Sequence, residues 1–507
     1  MSKSTGIIGL LVAAGLVWGG ATWYMGNQTK KELDESLVAT NHFLATSHAN
    51  TTITEVSYEK NFLSSTAVYK LSIKLPELQE EPLELLFNTH VYHGPFPKLE
   101  KGNFTPALAI VESTLVNNDN TKMLFELANG QEPVSSSTQI SFSGDINGTI
   151  KTAALQYSNA QRGINASIEP GNFVSSTNRD LSFFNINGQF GAIKLSEKDE
   201  FTLDIASLFM SSDAKRSAHD NFIGTSTFKT DKISTVLDKK TSISIDAVSI
   251  DTSTSETATG LVNADIVYRL DTLKANDINF GNSDLKFIMN NLDMQAINAF
   301  SKAVSAINPS SPDADELMVD QFEILFGKIL ASNPSFEISP LRINTASGQA
   351  TLNVGAIFNT EDIAPDNKAD LESYAIQALR KVNFSTSIDD NFIKEMGAAV
   401  IKFENTQGEN ISEEEIMQMA SLAGPIAEQS GMAVYKDGKI TSDIVFDADQ
   451  PADSQIDFNG KKMGLNEFAM RASSLLGFAG TSAAPALLNE EELFQALEND
   501  TEAEPAE

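Results

Sequence analysis

The sequence predicts an α+β fold: an extended, curved antiparallel β-sheet region followed by a helix-rich C-terminal third, behind an N-terminal transmembrane helix. Three observations lead there. Residues Gly6–Met25 form an unbroken apolar run. From about residue 50 to residue 285 apolar and polar residues alternate with period two. After Lys286 the apolar spacing becomes that of helices.

The first run, GIIGLLVAAGLVWGGATWYM, holds no Asp, Glu, Lys, Arg or His. About 20 helical residues span the hydrocarbon core of a bilayer, so its length fits a membrane anchor. Trp18, Trp23 and Tyr24 lie in its second half, the last two where aromatic rings meet headgroups. A cleaved signal peptide competes, with Lys3 as its basic start and Gly19-Gly20-Ala21 as small residues for cleavage. Lys3 before the run and Lys30-Lys31 after it leave the orientation open. The anchor then covers residues 1–28, a β-rich region residues 29–285, an α+β region residues 286–479, and an acidic, flexible tail residues 480–507.

In the β-rich region Ser242-Ile243-Ser244-Ile245 and Asp265–Leu270 read as strands. Asn147-Gly148, Asn187-Gly188 and Gly281-Asn282 carry turn chemistry, so turns are expected there. Beyond it, Leu292–Ile307 and Asp313–Ala331 read as helices, the second with the stripe Met318, Phe322, Leu325, Ile329. A hairpin, Phe336–Ile343 and Ala350–Phe358, turns through Ser347-Gly348. Helices follow at Lys368–Lys381 and Asp390–Phe403. The next begins at Ser412, with Glu415 closing a capping box and Ile411 stapling onto Ile416. Gly424-Pro425 should break or kink it. Asp437-Gly438 and Asn459-Gly460 mark tight hairpins, and Leu465–Leu476 a last helix. In the tail, Asn489 can cap a short helix carrying Leu493, Phe494 and Leu497.

Composition excludes some functions. The chain has 507 residues, 68 acidic against 36 basic, and a formal charge of −32. Nucleic acid is not an expected partner, because phosphate binding needs clustered Lys and Arg. With no cysteine there are no disulfides, thiolate nucleophiles or Cys metal sites.

Candidate chemistry is sparse. Among five histidines only His90 and His93 lie close together, and strand alternation would put them on opposite faces. His93-Gly94-Pro95-Phe96-Pro97 reads better as a rigid turn motif, with proline fixing φ and glycine supplying an unusual one. Asp447, Asp449 and Asp453 start like a calcium loop, but Ala452 and Phe458 stand where it needs Gly and Glu. No nucleophile elbow, Walker loop or dinucleotide fingerprint occurs. No catalytic, cofactor or metal residue is assigned.

At that turn the sequence resembles the YdgA family of gammaproteobacterial proteins of unknown function. The likeness starts in the anchor at Val17–Tyr24 and runs through Leu86-Phe87-Asn88, the His93–Pro97 turn and Ser113–Asn118. It continues at Ala128-Asn129-Gly130 and Phe142-Ser143-Gly144, resumes at Ile338–Leu341, and closes at Phe458–Met463 with Phe468. The resemblance implies a dimeric, single-pass protein of the bacterial inner membrane with its bulk in the periplasm. It brings no catalytic residue. His90 and the acidic Glu490–Glu507 tail stand outside the family pattern. The expected function is a membrane-anchored periplasmic binding or scaffold protein of the envelope. The alternative is a lipid-handling module that shields an acyl chain in a β-sheet groove. Expected partners are the membrane, a second copy, and a protein or a lipid.

Overall fold

The structure, a computed structural model, describes residues 37–38, 41, 51–60, 64–74, 82–93, 96–98, 101–178, 180–198, 200–307, 311, 313–361, 363, 371–407 and 412–476. They build a 24-stranded sheet in which every pairing is antiparallel. It opens with β1 (Thr51–Lys60), β2 (Ser64–Ile73), β3 (Leu83–His93), β4 (Ala109–Leu115), β5 (Val134–Ile140) and β6 (Asp145–Thr152), paired in chain order. In β2 every second residue is buried, the mark of a strand with one face covered. Tyr69, Val91, Val111 and Ile140 form a dry core there, joined by Leu37 and by Phe125 of α1 (Lys122–Leu127).

The next four long strands are each broken once. They are β6 with β7 (Leu155–Asn159), β8 (Ile164–Ile168) with β9 (Gly171–Asn178), β10 (Phe183–Phe190) with β11 (Ile193–Glu197), and β12 (Phe201–Ile205) with β13 (Leu208–Arg216). Two residues make each break, and at Glu169-Pro170 the cause is plain: proline has no N–H to give the ladder. β14 (Phe222–Leu237) is unbroken and pairs with both halves, β13 along its first part and β12 along its second. β15 (Thr241–Glu256), β16 (Val262–Ala275) and β17 (Ile278–Leu292) continue the up-and-down path.

Three expected turns are corrected here. Asn147-Gly148 lies inside β6, Asn187-Gly188 inside β10 and Gly281-Asn282 inside β17. Two of these glycines answer to packing. A Cβ on Gly188 would stand 2.3 Å from the Phe173 ring, and one on Gly281 1.9 Å from the Asn344 carbonyl. The real turn before β17 is Asn276-Asp277, with φ of 47° and 62°.

The fold class read from the sequence is also overturned. Helices do follow: α2 (Met294–Ala306), α3 (Ala314–Ala331), α4 (Leu371–Ala378), α5 (Asp390–Gln407), α6 (Glu413–Gln429) and α7 (Leu465–Leu476). No separate helix-rich C-terminal third is seen, because the same sheet runs on between them. It continues through β18 (Ser335–Asn344), β19 (Gln349–Phe358), β20 (Leu379–Asp389), β21 (Val434–Lys436), β22 (Lys439–Asp447), β23 (Ile456–Phe458) and β24 (Lys461–Met463). The decisive strand is β20, whose first residues read as the end of a helix in the sequence. It joins β19 to β22 and so unites the sheet. The protein is a mainly antiparallel β structure with helices set into its connections. Of the break or kink expected at Gly424-Pro425, the break is absent, since α6 runs on through Pro425 to Gln429.

Among the described residues no helix is long and apolar enough to cross a membrane. The anchor 1–28 with Trp18, Trp23 and Tyr24, and the tail 480–507, lie outside the described residues, as do Ile411 and the side chains of Glu415 and Ile416.

Candidate functional site

Directly opposed residues of an antiparallel pair share a face, so the register can be followed from strand to strand. One row begins Ile150, Phe173, Gly188, Met210, Phe228. It continues through Ile250, Tyr268, Leu285, Leu341 and Leu352, crossing ten strands. Two residues along on the same face, a second row runs Ile266, Phe287, Ile338, Val354, Phe384, Ile444 and ends at Phe458. The opposite face is polar. There Asn147, Ser176, Asn185, Asp213, Thr225 and Ser253 form a row, and a groove of about 390 Å³ lies along part of it.

The two faces differ in chemistry, but neither is covered in the middle of the sheet. Among the described residues, no apolar side chain between Ile186 (5% exposed) and Val262 (4% exposed) is buried. All ten residues of β18 and the first twelve of β15 are half-buried, with none of the alternation seen in β2. Side chains in this state are partly shielded by their neighbours in the sheet and still reach solvent. Where the row enters the covered part, the burial changes. Ile150, Phe173 and Ile186 are buried, and Phe173 lies across Gly188 and meets the Phe190 ring edge-on at 4.7 Å.

Hydrogen-bonded clamps hold the strand ends. The turns Ser217–Asn221 and Thr257–Leu261 are joined by Glu256, whose side chain is 8% exposed. It accepts from Ser217 Oγ (2.5 Å) and Asn221 Nδ2 (2.7 Å), and lies 3.0 Å from His219 Nδ1. The bond to His219, then that to Ser217, draws the Glu256 carboxyl down from 4.5 to about 2. Ser, His and Glu meet here without the geometry of a nucleophile. Ser217 Oγ donates to the carboxylate and accepts from the backbone N–H groups of His219 and Asn221. The clamp is structural, and it is acid-labile. A carboxyl depressed in the folded state contributes stability above the unfolded value near 4.5, and loses it as pH falls through about 2. Urea unfolding of Glu256→Gln is therefore expected to lack the part of the acid destabilisation that the parent protein shows between those two values.

At the other strand ends the α5–α6 hairpin is seated by similar contacts. The backbone N–H and Oγ of Ser347 donate to Glu395 at 3.0 and 2.5 Å, and hold its carboxyl below the usual range. Tyr435 donates to Asp390 at 2.5 Å, which raises the phenol. Gly424 lets the Tyr435 ring lie against α6. Phe280 of β17 faces Phe403 of α5 at 6.2 Å, and a cavity of about 630 Å³ remains between helix and strand ends.

The residues singled out in the sequence fall away from this face. His93 ends β3, with Nε2 at 3.2 Å from Ser65 Oγ, which in turn meets Tyr58 OH at 3.1 Å. Phe96 is exposed, Pro97 is buried, and Gly94 and Pro95 lie outside the described residues. His90 packs on Tyr92, and Lys98 and Lys101 stand over that ring while Lys98 pairs with Glu112. Among the described residues no three His, Asp or Glu side chains group as a metal site would need. The apolar rows were not named from the sequence, because they exist only once the register is known. Their local signal was the period-two pattern in strands as long as β15 and β16.

These features define a large antiparallel β protein whose distinguishing surface is an uncovered apolar sheet face. The chain belongs to the family described as "Bacterial protein of unknown function (DUF945)", which matches residues 1–466. It is 24% identical to Protein YdgA of Escherichia coli (strain K12), over 96% of this chain and 100% of that protein. It is likewise 24% identical to the Uncharacterized protein YihF of the same organism, over 92% of this chain and 98% of that one. No solved structure matches it.

Proposed function

We propose that this protein binds elongated apolar molecules, lipid acyl chains by class, along the apolar face of its sheet. The half-buried part of the row, seven strands from Met210 on β13 to Leu352 on β19, carries the reading. Its six strand spacings of about 4.8 Å make it about 29 Å long, close to the roughly 30 Å of a bilayer's hydrocarbon core. Monomeric soluble proteins rarely leave so extended an apolar surface bare. The apolar run Gly6–Met25 would keep that face beside a membrane, and the periplasmic side of an inner membrane is the location we infer with it. The net charge of −32 disfavours adhesion to anionic headgroups, which suits a ligand held by its chain.

A scaffold role stays as a second reading, favoured by Leu422 and Ile426 on α6 and Met470 on α7, which are 47, 60 and 66% exposed. One experiment separates the two. A photoreactive phenylalanine analogue is placed at Phe287 in the row and, as a control, at Ser253 on the polar face, and cross-linked in living cells. Lipid adducts at 287 and none at 253 are expected in the mass spectrum. Protein adducts alone at 287, from a partner or a second copy, would turn the assignment to the scaffold.

A further inference from the structure

β17 and β18 are neighbours in the sheet, yet residues 293–334 separate them and fold into the α2–α3 hairpin. Its foot is fixed. Leu330 is fully buried against Ile363, Tyr374 and Ala378. Ser332 Oγ donates to the Asn291 carbonyl at 2.5 Å, Asn291 Nδ2 to the Asn333 carbonyl at 3.0 Å, and Thr360 donates twice to Asn333 Oδ1. Further out the same helix is apolar and wet. Leu317, Met318, Val319, Phe322 and Ile324 are 43, 45, 57, 55 and 52% exposed.

We propose that the outer turns of α3 insert into the acyl layer of a bilayer whose headgroups carry ammonium groups. The arrangement around the helix favours this over a protein groove. At about 100° per residue, Leu317, Met318 and Val319 spread over more than half the circumference, and Phe322 and Ile324 point about 160° apart. A groove reads one stripe at i, i+3, i+4 and i+7, which would leave the other side chains in water. The acyl side of an interface accepts a wide apolar arc, and these five side chains span about 220° of one, with the acid flank left at the headgroups. Glu316, Asp320 and Glu323 follow the i, i+4, i+7 spacing along one flank, where they complement ammonium headgroups and repel phosphoglycerol ones; Asp315 stands apart from them in the first turn, at the N-terminal edge of the apolar arc. The foot of the hairpin stands where Met289 of β17 faces Phe336 of β18, next to the row through Phe287. A lipid leaving the bilayer beside α3 would meet the apolar face there. That last step rests on the acyl-chain reading above, whereas the insertion of α3 does not.

The 507-residue chain has no cysteine, so single cysteines introduced as Phe322→Cys and Ile324→Cys take an environment-sensitive fluorophore without competition. Both residues are exposed, so neither change opens the core. The labelled protein is reconstituted into phosphatidylethanolamine–phosphatidylcholine vesicles carrying lipid spin-labelled in the acyl region, with Asn120→Cys in an exposed turn as control. Blue-shifted, quenched emission at both 322 and 324, and neither at 120, is the expected result for a helix about 5–10 Å below the headgroups. Replacing phosphatidylethanolamine by phosphatidylglycerol should weaken it. Quenching at one position only, at neither, or equally at 120 would overturn the insertion, and stronger quenching on phosphatidylglycerol would overturn the charge assignment. Lipid adducts at Phe287 report separately: quenching without adducts would end the acyl-chain reading and leave the membrane contact standing.

Discussion

Phe173→Ala is expected to cost about 3–5 kcal/mol of stability, as large-to-small changes at buried aromatics do. Phe228→Ala, three places further along the same row, is expected to cost no more than about 1.5 kcal/mol. The residues are identical and both sit in strands of one sheet. What differs is cover. Phe173 is 2% exposed, packed against Ile150, Ile186 and Phe190 and laid over Gly188, so its removal leaves a cavity. Phe228 is half-buried and already meets solvent on one side. Urea unfolding of the two variants checks this directly. Equal, large losses would mean that a layer covers Phe228 in solution, and the apolar face would then be no binding surface.

Ile250→Asp is expected to do the reverse: to spare the fold and to weaken lipid capture by about tenfold or more, a loss of about 1.4 kcal/mol or above. In the free protein the new carboxylate keeps much of its water, because Ile250 is only half-buried. With an acyl chain laid across it, between Phe228 and Tyr268, the charge would lose its water without gaining a partner. The yield of lipid adduct at Phe287, compared between Ile250→Asp and the isosteric Ile250→Asn, measures the loss from charge apart from that due to shape. Unchanged yields would show that the ligand does not cross the sheet along this row.

The sequence made the strands legible and left their assembly hidden. Period two marked Ser242–Ile245 and Asp265–Leu270 because each side chain in a strand answers to one face. The helices after Leu292 could be read from their apolar spacing, and Asp293 caps α2 through the N–H groups of Gln295 and Ala296. Long-range pairing was not legible. Leu379–Asp389 continues directly from α4 with no turn signal between them, so its first residues extended the helix by pattern, whereas two neighbouring strands claim them in the fold. The Asn-Gly pairs failed for a related reason. Glycine marks a turn when φ is the constraint, but at Gly188 the constraint is an aromatic ring from the next strand. The candidate site could not be read at all from separate segments, since a row across ten strands is a property of register.

Counting each interrupted pair as one strand, the long strands lie side by side in the order in which the chain makes them. Such a sheet behaves like a one-dimensional array, with stability close to a sum over neighbouring pairs. Its length is then a free variable. Adding or deleting one hairpin lengthens or shortens the apolar strip by about 10 Å and leaves every other pairing in place. The reach of this protein is thus set by how many hairpins its gene encodes, a quantity that can change without redesigning the fold.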